Sequence, residues 1–204
     1  MTGFLFDGPK SAKKTVALAH GAGAPMDSEF LEFFAAGLAE RAVRAARFEF
    51  PYMVKRREDG KRRPPDRAPA LIDAYLRVIA ELGPENLIIG GKSMGGRIAS
   101  MIADEVGVAG LVCLGYPFHP PGKRDKLRLE QLSSLKTPTL ILNGERDPFG
   151  KREEVESYSL SKAINVSFLT DGDHDLKPRK ASGRTRTQNW EEAINQIARF
   201  VHGL

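Results

Sequence analysis

The chain has 204 residues, 41% of them hydrophobic and 28% charged, which suits one soluble domain over 1–204 with a core of its own. Its net charge of +5 is spread over KSAKK, KRREDGKRR, GKRDKLR and KPRKASGRTR, with no interleaved aromatic residues and no binding motif, so a solvated basic surface is expected rather than a specific nucleic-acid partner. The longest apolar runs, such as LVCLGY at 111–116, fall far short of the ~20 residues that span a bilayer; the start MTGFLFDGPK carries no secretory pattern, and a lone cysteine, Cys113, makes no internal disulfide, so the expectation is a cytoplasmic protein without a membrane partner.

In chain order, residues 3–6 offer a short edge strand and TVALA (15–19) a buried one. Asp27 or Ser28 then caps a helix with Phe30, Leu31, Phe34, Leu38 and Ala42 on one face. ARFEF (46–50) is the next strand. Asp66 caps a helix that turns Leu71, Tyr75, Val78, Ile79 and Leu82 inward and stops at Gly83-Pro84. NLIIG (86–90), GLVCLG (110–115), TPTLILN (137–143) and NVSFL (165–169) are near-continuous apolar runs, and helical patterns cover 96–106, 151–162 and 188–202. In the last of these, Ile194, Ile197, Ala198 and Val201 form the stripe. Such alternation predicts an α/β fold: a mostly parallel, doubly wound sheet with helices on both faces. Ligands bind such sheets at the carboxyl ends of the strands, so chemistry is sought in the residues that follow each strand.

The stretch NLIIGGKSMGGR (86–97) poses a choice between two chemistries. Gly91-Lys92-Ser93 is the ending of a phosphate-binding loop, which needs a further glycine five positions earlier so that backbone amides wrap a phosphate. That position is Asn86, and the residues between are strand, so the phosphate loop fails. The other reading is a nucleophile elbow, in which a strand turns sharply into a helix and holds one serine clear of the sheet. A β-carbon two residues before or after that serine crowds the turn, and Gly91 and Gly95 stand at those positions around Ser93. Lys92, between them, is expected to point away as a solvated side chain.

A serine hydroxyl attacks only when a neutral imidazole takes its proton and a carboxylate orients that imidazole. Downstream of Ser93, TPTLILN runs into Gly144-Glu145-Arg146-Asp147, and NVSFL runs into Thr170-Asp171-Gly172-Asp173-His174-Asp175. Both stretches follow strands, in the order serine, acid, histidine. Asp147 is the expected acid, with Glu145 as its competitor, and His174 the expected base. DGDHD also suggests a calcium loop, but a loop begun at Asp171 places Ser182 where the bidentate glutamate belongs, so no metal is expected. Amides for a developing oxyanion are sought at Met94, after the nucleophile, and at Ala22, in the loop His20-Gly21-Ala22-Gly23-Ala24 after TVALA. Gly21-Ala22-Gly23 fails as a dinucleotide fingerprint because Met26 occupies the third glycine's place, and His20 reads as a loop-shaping residue.

HGAG (20–23), GKSMGG (91–96), ERDPFG (145–150) and DGDHDLKP (171–178) together resemble the α/β-hydrolase superfamily. The likeness is to its small, lid-less, dienelactone-hydrolase-like branch of hydrolases related to mammalian testis-expressed and chromatin-complex members. FPYM (50–53), RRPPDRAPAL (62–71) and LGYPFHPPGK (114–123) also look like that branch, so the resemblance covers nearly the whole chain. It implies a Ser93–Asp147–His174 triad that hydrolyses an ester, thioester or amide of a small acyl substrate without a cofactor. Position 93 is serine where dienelactone hydrolases use cysteine, so their substrate is not carried over. Some members of the branch are regarded as scaffolds, which makes a catalytically idle binding protein the alternative. The stretch 116–136 is too short for a sizeable helical cap, so the site should be open and walled by loops. Gly21, Tyr52, Met53, Pro64-Pro65, Tyr116 and His119 are the candidates for those walls, and the basic residues of 55–63 for attracting an anionic substrate.

Overall fold

The computed structural model describes residues 3–204. Strands β1 (Leu5–Asp7), β2 (Thr15–Ala19), β3 (Arg44–Phe48), β4 (Leu87–Lys92), β5 (Gly110–Leu114), β6 (Thr139–Gly144) and β7 (Ile164–Leu169) form one sheet in the order β1-β3-β2-β4-β5-β6-β7. β1 runs antiparallel along the β3 edge, and every other pairing is parallel. The chain steps outward from β2 to β3 and then returns to place β4 on the other side of β2. The loops after β2 and β4 therefore meet at a topological switch point, where such sheets leave a crevice at their carboxyl ends.

The helices are α1 (Glu29–Ala39), α2 (Pro51–Asp59), α3 (Ala68–Leu82), α4 (Met94–Ser100), α5 (Ala103–Val106), α6 (Arg152–Val155) and α7 (Arg186–Gly203). Alternating strand residues feed two cores. Val16, Leu18, Ile88 and Val112 meet Leu31, Phe34 and Leu38 of α1 and Ile194, Ile197 and Val201 of α7 on one face. Ala17, Ile89, Leu111 and Cys113 meet Tyr75, Val78 and Ile79 of α3 and Ile98 of α4 on the other. Trp190 seals the first face, with Phe30 and Phe33 edge-on to it at ring-centroid distances of 5.1 Å. Among the described residues the connection from β5 to β6 holds no helix, so no cap domain covers the carboxyl edge.

Several boundaries differ from the sequence expectation. The β3 strand ends two residues early because Pro51 opens α2, a helix that the periodicity hid. Only Tyr52 and Met53 of α2 are buried; the rest is mainly charge, and Gly60 in the left-handed region ends it. Ala42 lies beyond the end of α1 at a φ of 57°, not on its apolar face. Asp66 caps no helix, since Arg67 holds that place; its carboxylate accepts from the Tyr52 amide at 3.0 Å and so ties the start of α2 to the start of α3. The 96–106 pattern is two helices broken at Met101-Ile102, and the 151–162 pattern shrinks to one helical turn in α6.

One buried side chain joins this framework to the turn that follows β4. Tyr75 is fully buried, and its hydroxyl lies 3.0 Å from the Ala17 carbonyl and 2.7 Å from the Gly90 carbonyl while accepting from the Gly90 amide at 2.8 Å. It stitches β2 to β4 just before the chain reaches Ser93. Removing the hydroxyl leaves these backbone groups short of a partner, at a cost of about 1–3 kcal/mol. Tyr75→Phe should therefore lower the urea midpoint without changing the slope of the transition; an unchanged midpoint would show that the stitch contributes nothing.

Candidate active site

Ser93 sits between β4 and α4 at φ 50° and ψ −110°, a region that costs a non-glycine residue about 1–3 kcal/mol. Its amide donates to the Leu114 carbonyl at 2.8 Å, and its carbonyl accepts from the Arg97 amide at 3.0 Å, so both neighbouring elements hold the turn. The flanking glycines permit this. A β-carbon at Gly91, whose φ is 149°, would lie 2.2 Å from the Ala19 carbonyl oxygen, and one at Gly95 would lie 2.6 Å from the same atom. Strand and helix can approach β2 this closely only without side chains there.

Asp147 follows β6 and is fully buried. One of its carboxylate oxygens accepts from the Phe149 amide at 2.9 Å, and the other lies 2.8 Å from His174 Nδ1. A carboxylate only accepts, so Nδ1 carries a proton, and the tautomer of the neutral ring that fits is the one with its lone pair on Nε2. Nε2 lies 2.9 Å from Ser93 Oγ. The Phe149 ring lies against the imidazole at a centroid distance of 4.2 Å and screens one of its faces. Hydroxyl, imidazole and carboxylate thus form one hydrogen-bonded chain suited to drawing the proton from Oγ. Glu145, the competing acid, faces elsewhere: it accepts from the Asp171 amide at 2.7 Å and pairs with Arg152 at 3.1 Å.

The loop that carries His174 is held by its acidic residues, which diverge instead of gathering around a metal. Asp171 pairs with Arg179 and Arg146, and the hydrogen bonds from Arg179 pull its carboxyl down to about 2. Asp173 accepts from the Asp175 and Lys177 amides at 2.9 and 3.0 Å. Asp175 lies 3.2 Å from Lys92 Nζ. Lys92 therefore departs from the solvated side chain expected of it. It is 8% exposed, its ammonium also donates to the His174 carbonyl, and burial pushes its pKa down.

A cavity of about 530 Å³ opens beside Ser93. Gly21 and Ala22 lie on its wall, as expected. The other expected walls do not line it. Tyr52 and Met53 point into the core, and the Tyr52 hydroxyl donates to the Ala22 carbonyl at 3.0 Å, bracing the loop from behind. Tyr116 is buried with its hydroxyl on the Arg128 carbonyl at 3.0 Å. His119 is buried between the Pro120 carbonyl and Glu154, and its amide donates to the Phe149 carbonyl at 3.1 Å. Pro64 and Pro65 are exposed away from the cavity. No residue of the basic segment 55–63 lines it either: Arg56 reaches the back of its wall at the Gly23 carbonyl, 3.4 Å away, Arg57 is engaged by Glu49 and Asp27, and Arg63 by Asp59. Phe30, Phe149 and Trp190 supply the apolar walls instead, with Lys92, Lys177 and Arg186 among the charged groups around them. Met94 heads α4 directly after the nucleophile. His20 is the loop-shaping residue: Nδ1 lies 2.7 Å from the Gly21 carbonyl, Nε2 accepts from the Phe50 amide at 3.1 Å, and burial lowers its pKa.

Comparison with known proteins agrees with this fold. The model of a family described as alpha/beta hydrolase domain matches residues 12–202. An alpha-beta serine hydrolase homologue from Coxiella burnetii superposes with a TM-score of 0.71 at 19% identity, covering 95% of this chain and 90% of that one. Est1E from Butyrivibrio proteoclasticus, solved with ferulic acid bound, gives 0.66 at 15% identity over 97% and 96%. An a/b serine hydrolase without lid from Xanthomonas campestris gives 0.65 at 16% over 96% and 87%. At these identities the likeness is one of fold.

The contact between Asp171 and Arg179 carries a pH signature. Asp171 titrates lower folded than the ~3.9 of an unfolded aspartate, so its contribution to stability is complete above that value and fades as pH falls towards about 2. Denaturant curves of the wild type and Asp171→Asn should converge as pH drops from about 5 to 2; a gap that stays constant would show that the carboxylate's charge is not what holds the loop.

Proposed function

The chain belongs to the alpha/beta hydrolase family, and from that footing we propose that it is a serine hydrolase that cleaves an ester, thioester or amide of a small acyl substrate. The observation that carries this reading is the unbroken chain of two hydrogen bonds from Ser93 Oγ through the imidazole to Asp147.

The reaction follows from the tautomer. As Oγ attacks the acyl carbon, its proton passes to His174 Nε2, and buried Asp147 stabilises the imidazolium through Nδ1. The carbonyl oxygen becomes an oxyanion that the Ala22 and Met94 amides are positioned in sequence to meet, each such donor being worth on the order of 10²–10³ in rate. Collapse of the tetrahedral intermediate breaks the bond to the leaving group, which departs with the proton from Nε2 and leaves an acyl ester on Ser93. Water then enters the open site, gives one proton to Nε2 and attacks the same carbon. The second collapse frees the acid and returns that proton to Oγ. Every step of this scheme uses side chains and water alone.

The cavity supports a small acyl group with apolar character, since Phe30, Phe149 and Trp190 wall it and the Trp190 indole N–H is already engaged by the Asp175 carbonyl at 2.8 Å. A cytoplasmic setting and a small-molecule partner belong to the same proposal.

A fluorophosphonate probe should label the wild type and leave Ser93→Ala unlabelled. On a panel of p-nitrophenyl esters, Ser93→Ala should lower kcat by as much as ~10⁶ if the three residues act as a unit. A folded wild type that takes no label and turns over no ester would favour a binding protein that retains only the fold.

A further inference from the structure

Lys92 is a buried cation next to the nucleophile that the reaction scheme does not use. Three neighbours account for its ammonium: it donates to the His174 carbonyl, it lies 3.2 Å from Asp175 Oδ1, and it stands 5.3 Å from the centre of the Phe30 ring. Its stem packs beside the loop after β2, where a β-carbon at Gly21 would lie 3.5 Å from Cγ. The ammonium is close to Gly115 as well, for a β-carbon there would lie 3.0 Å from Nζ and 2.9 Å from the His174 carbonyl oxygen. With donors engaged and surroundings filled, the side chain has little left to offer a substrate anion.

The loop it grips needs holding. Residues 170–178 contain no helix or strand, and both Asp171 and Leu176 hold positive φ, at 51° and 61°. The loop's tethers lead to α7 and to the turn after β6: Asn189 Nδ2 donates to the Thr170 and Leu176 carbonyls at 3.0 and 2.8 Å, the Trp190 indole to the Asp175 carbonyl, the Arg146 amide to the Gly172 carbonyl at 2.8 Å, and the Asp171 amide to Glu145 at 2.7 Å. Arg146, after β6, reaches the Asp171 carbonyl at 3.0 Å. Among the described residues, Lys92 alone binds the backbone of His174 itself through a side chain, and it does so from the residue adjacent to Ser93.

We propose that Lys92 is a positioning residue that clamps the backbone of the catalytic histidine to the strand bearing the nucleophile, so that the Ser93–His174 distance is set by a direct tie and not by the loop. The proposal rests on the serine-hydrolase reading above and deepens it. A misplacement of about 1 Å at a reacting group costs on the order of 10² in rate. Losing the tie should thus lower kcat and leave KM nearly unchanged, whereas losing a substrate-binding cation would raise KM.

The test compares the wild type, Lys92→Met, His174→Ala and the double variant on p-nitrophenyl acetate. In parallel, the low-field proton resonance of the imidazole–carboxylate hydrogen bond is followed in the wild type and Lys92→Met. Lys92→Met should lower kcat about 10- to 100-fold with KM within about threefold, have little further effect once His174 is alanine, and broaden or abolish the resonance. A kcat within threefold of wild type, a loss seen mainly in KM, an equal loss in the His174→Ala background, or an unaltered resonance would each overturn the clamp. If Lys92→Met does not fold, Lys92→Gln, which keeps a polar side chain too short to reach the His174 carbonyl as the ammonium does, is held to the same kinetic and spectroscopic outcomes. Wild-type turnover and probe labelling read the hydrolase proposal separately: an inert wild type whose resonance still depends on Lys92 would refute the activity while sustaining the clamp.

Discussion

The bridge made by the His174 imidazole between a buried carboxylate and a half-exposed hydroxyl is the interaction on which the rest depends. Asp147 is a charge removed from water, which is costly unless partners replace the solvent. The Phe149 amide and His174 Nδ1 are those partners, and the second of them selects the tautomer of the neutral base. With Nδ1 donating, the acceptor of the neutral ring is Nε2, and the hydroxyl 2.9 Å away is the group it faces. Three residues from three different loops meet within hydrogen-bonding distance because the sheet places the ends of β4, β6 and β7 along one edge.

The strain at Ser93 belongs to the same design. A residue with φ of 50° persists only where its surroundings over-determine it. Here the bonds to Leu114 and Arg97 and the close approach of Gly91 and Gly95 to β2 do so, with Tyr75 fastening β2 to β4 just upstream. The hydroxyl is therefore held by the backbone from below and the imidazole by its loop from above. Lys92 lies between the two, and its ammonium joins them on the inner side of the site.

Most of this was legible in the sequence, for identifiable reasons. Near-continuous apolar runs announced the parallel strands, and glycines two residues on either side of Ser93 announced the turn, because both patterns follow from local sterics. Chain order pointed to Asp147 and His174. What escaped was set by tertiary placement. The α2 helix fully buries only two residues, adjacent in sequence, so it has no stripe to read. Tyr116 and His119 follow a strand, as wall residues do, yet they turn inward to brace a loop. Phe30 read as core on its own helix and Trp190 stood outside the stripe read for α7, and only the packing of α1 against α7 brings them to the cavity rim. Lys92 read as a surface lysine; its partners lie some eighty positions away, in a loop whose course no local pattern records.

The central claim is that Ser93 Oγ takes the acyl group from substrate, and rapid quenching of turnover followed by peptide mass analysis tests it most directly. With a p-nitrophenyl ester, the account predicts one acyl group per chain, carried on the peptide containing Ser93, appearing with the first burst of nitrophenolate and decaying at the steady-state rate. Hydrolysis that proceeds at full rate while that peptide stays unmodified, or an acyl group trapped on a different residue, would contradict it.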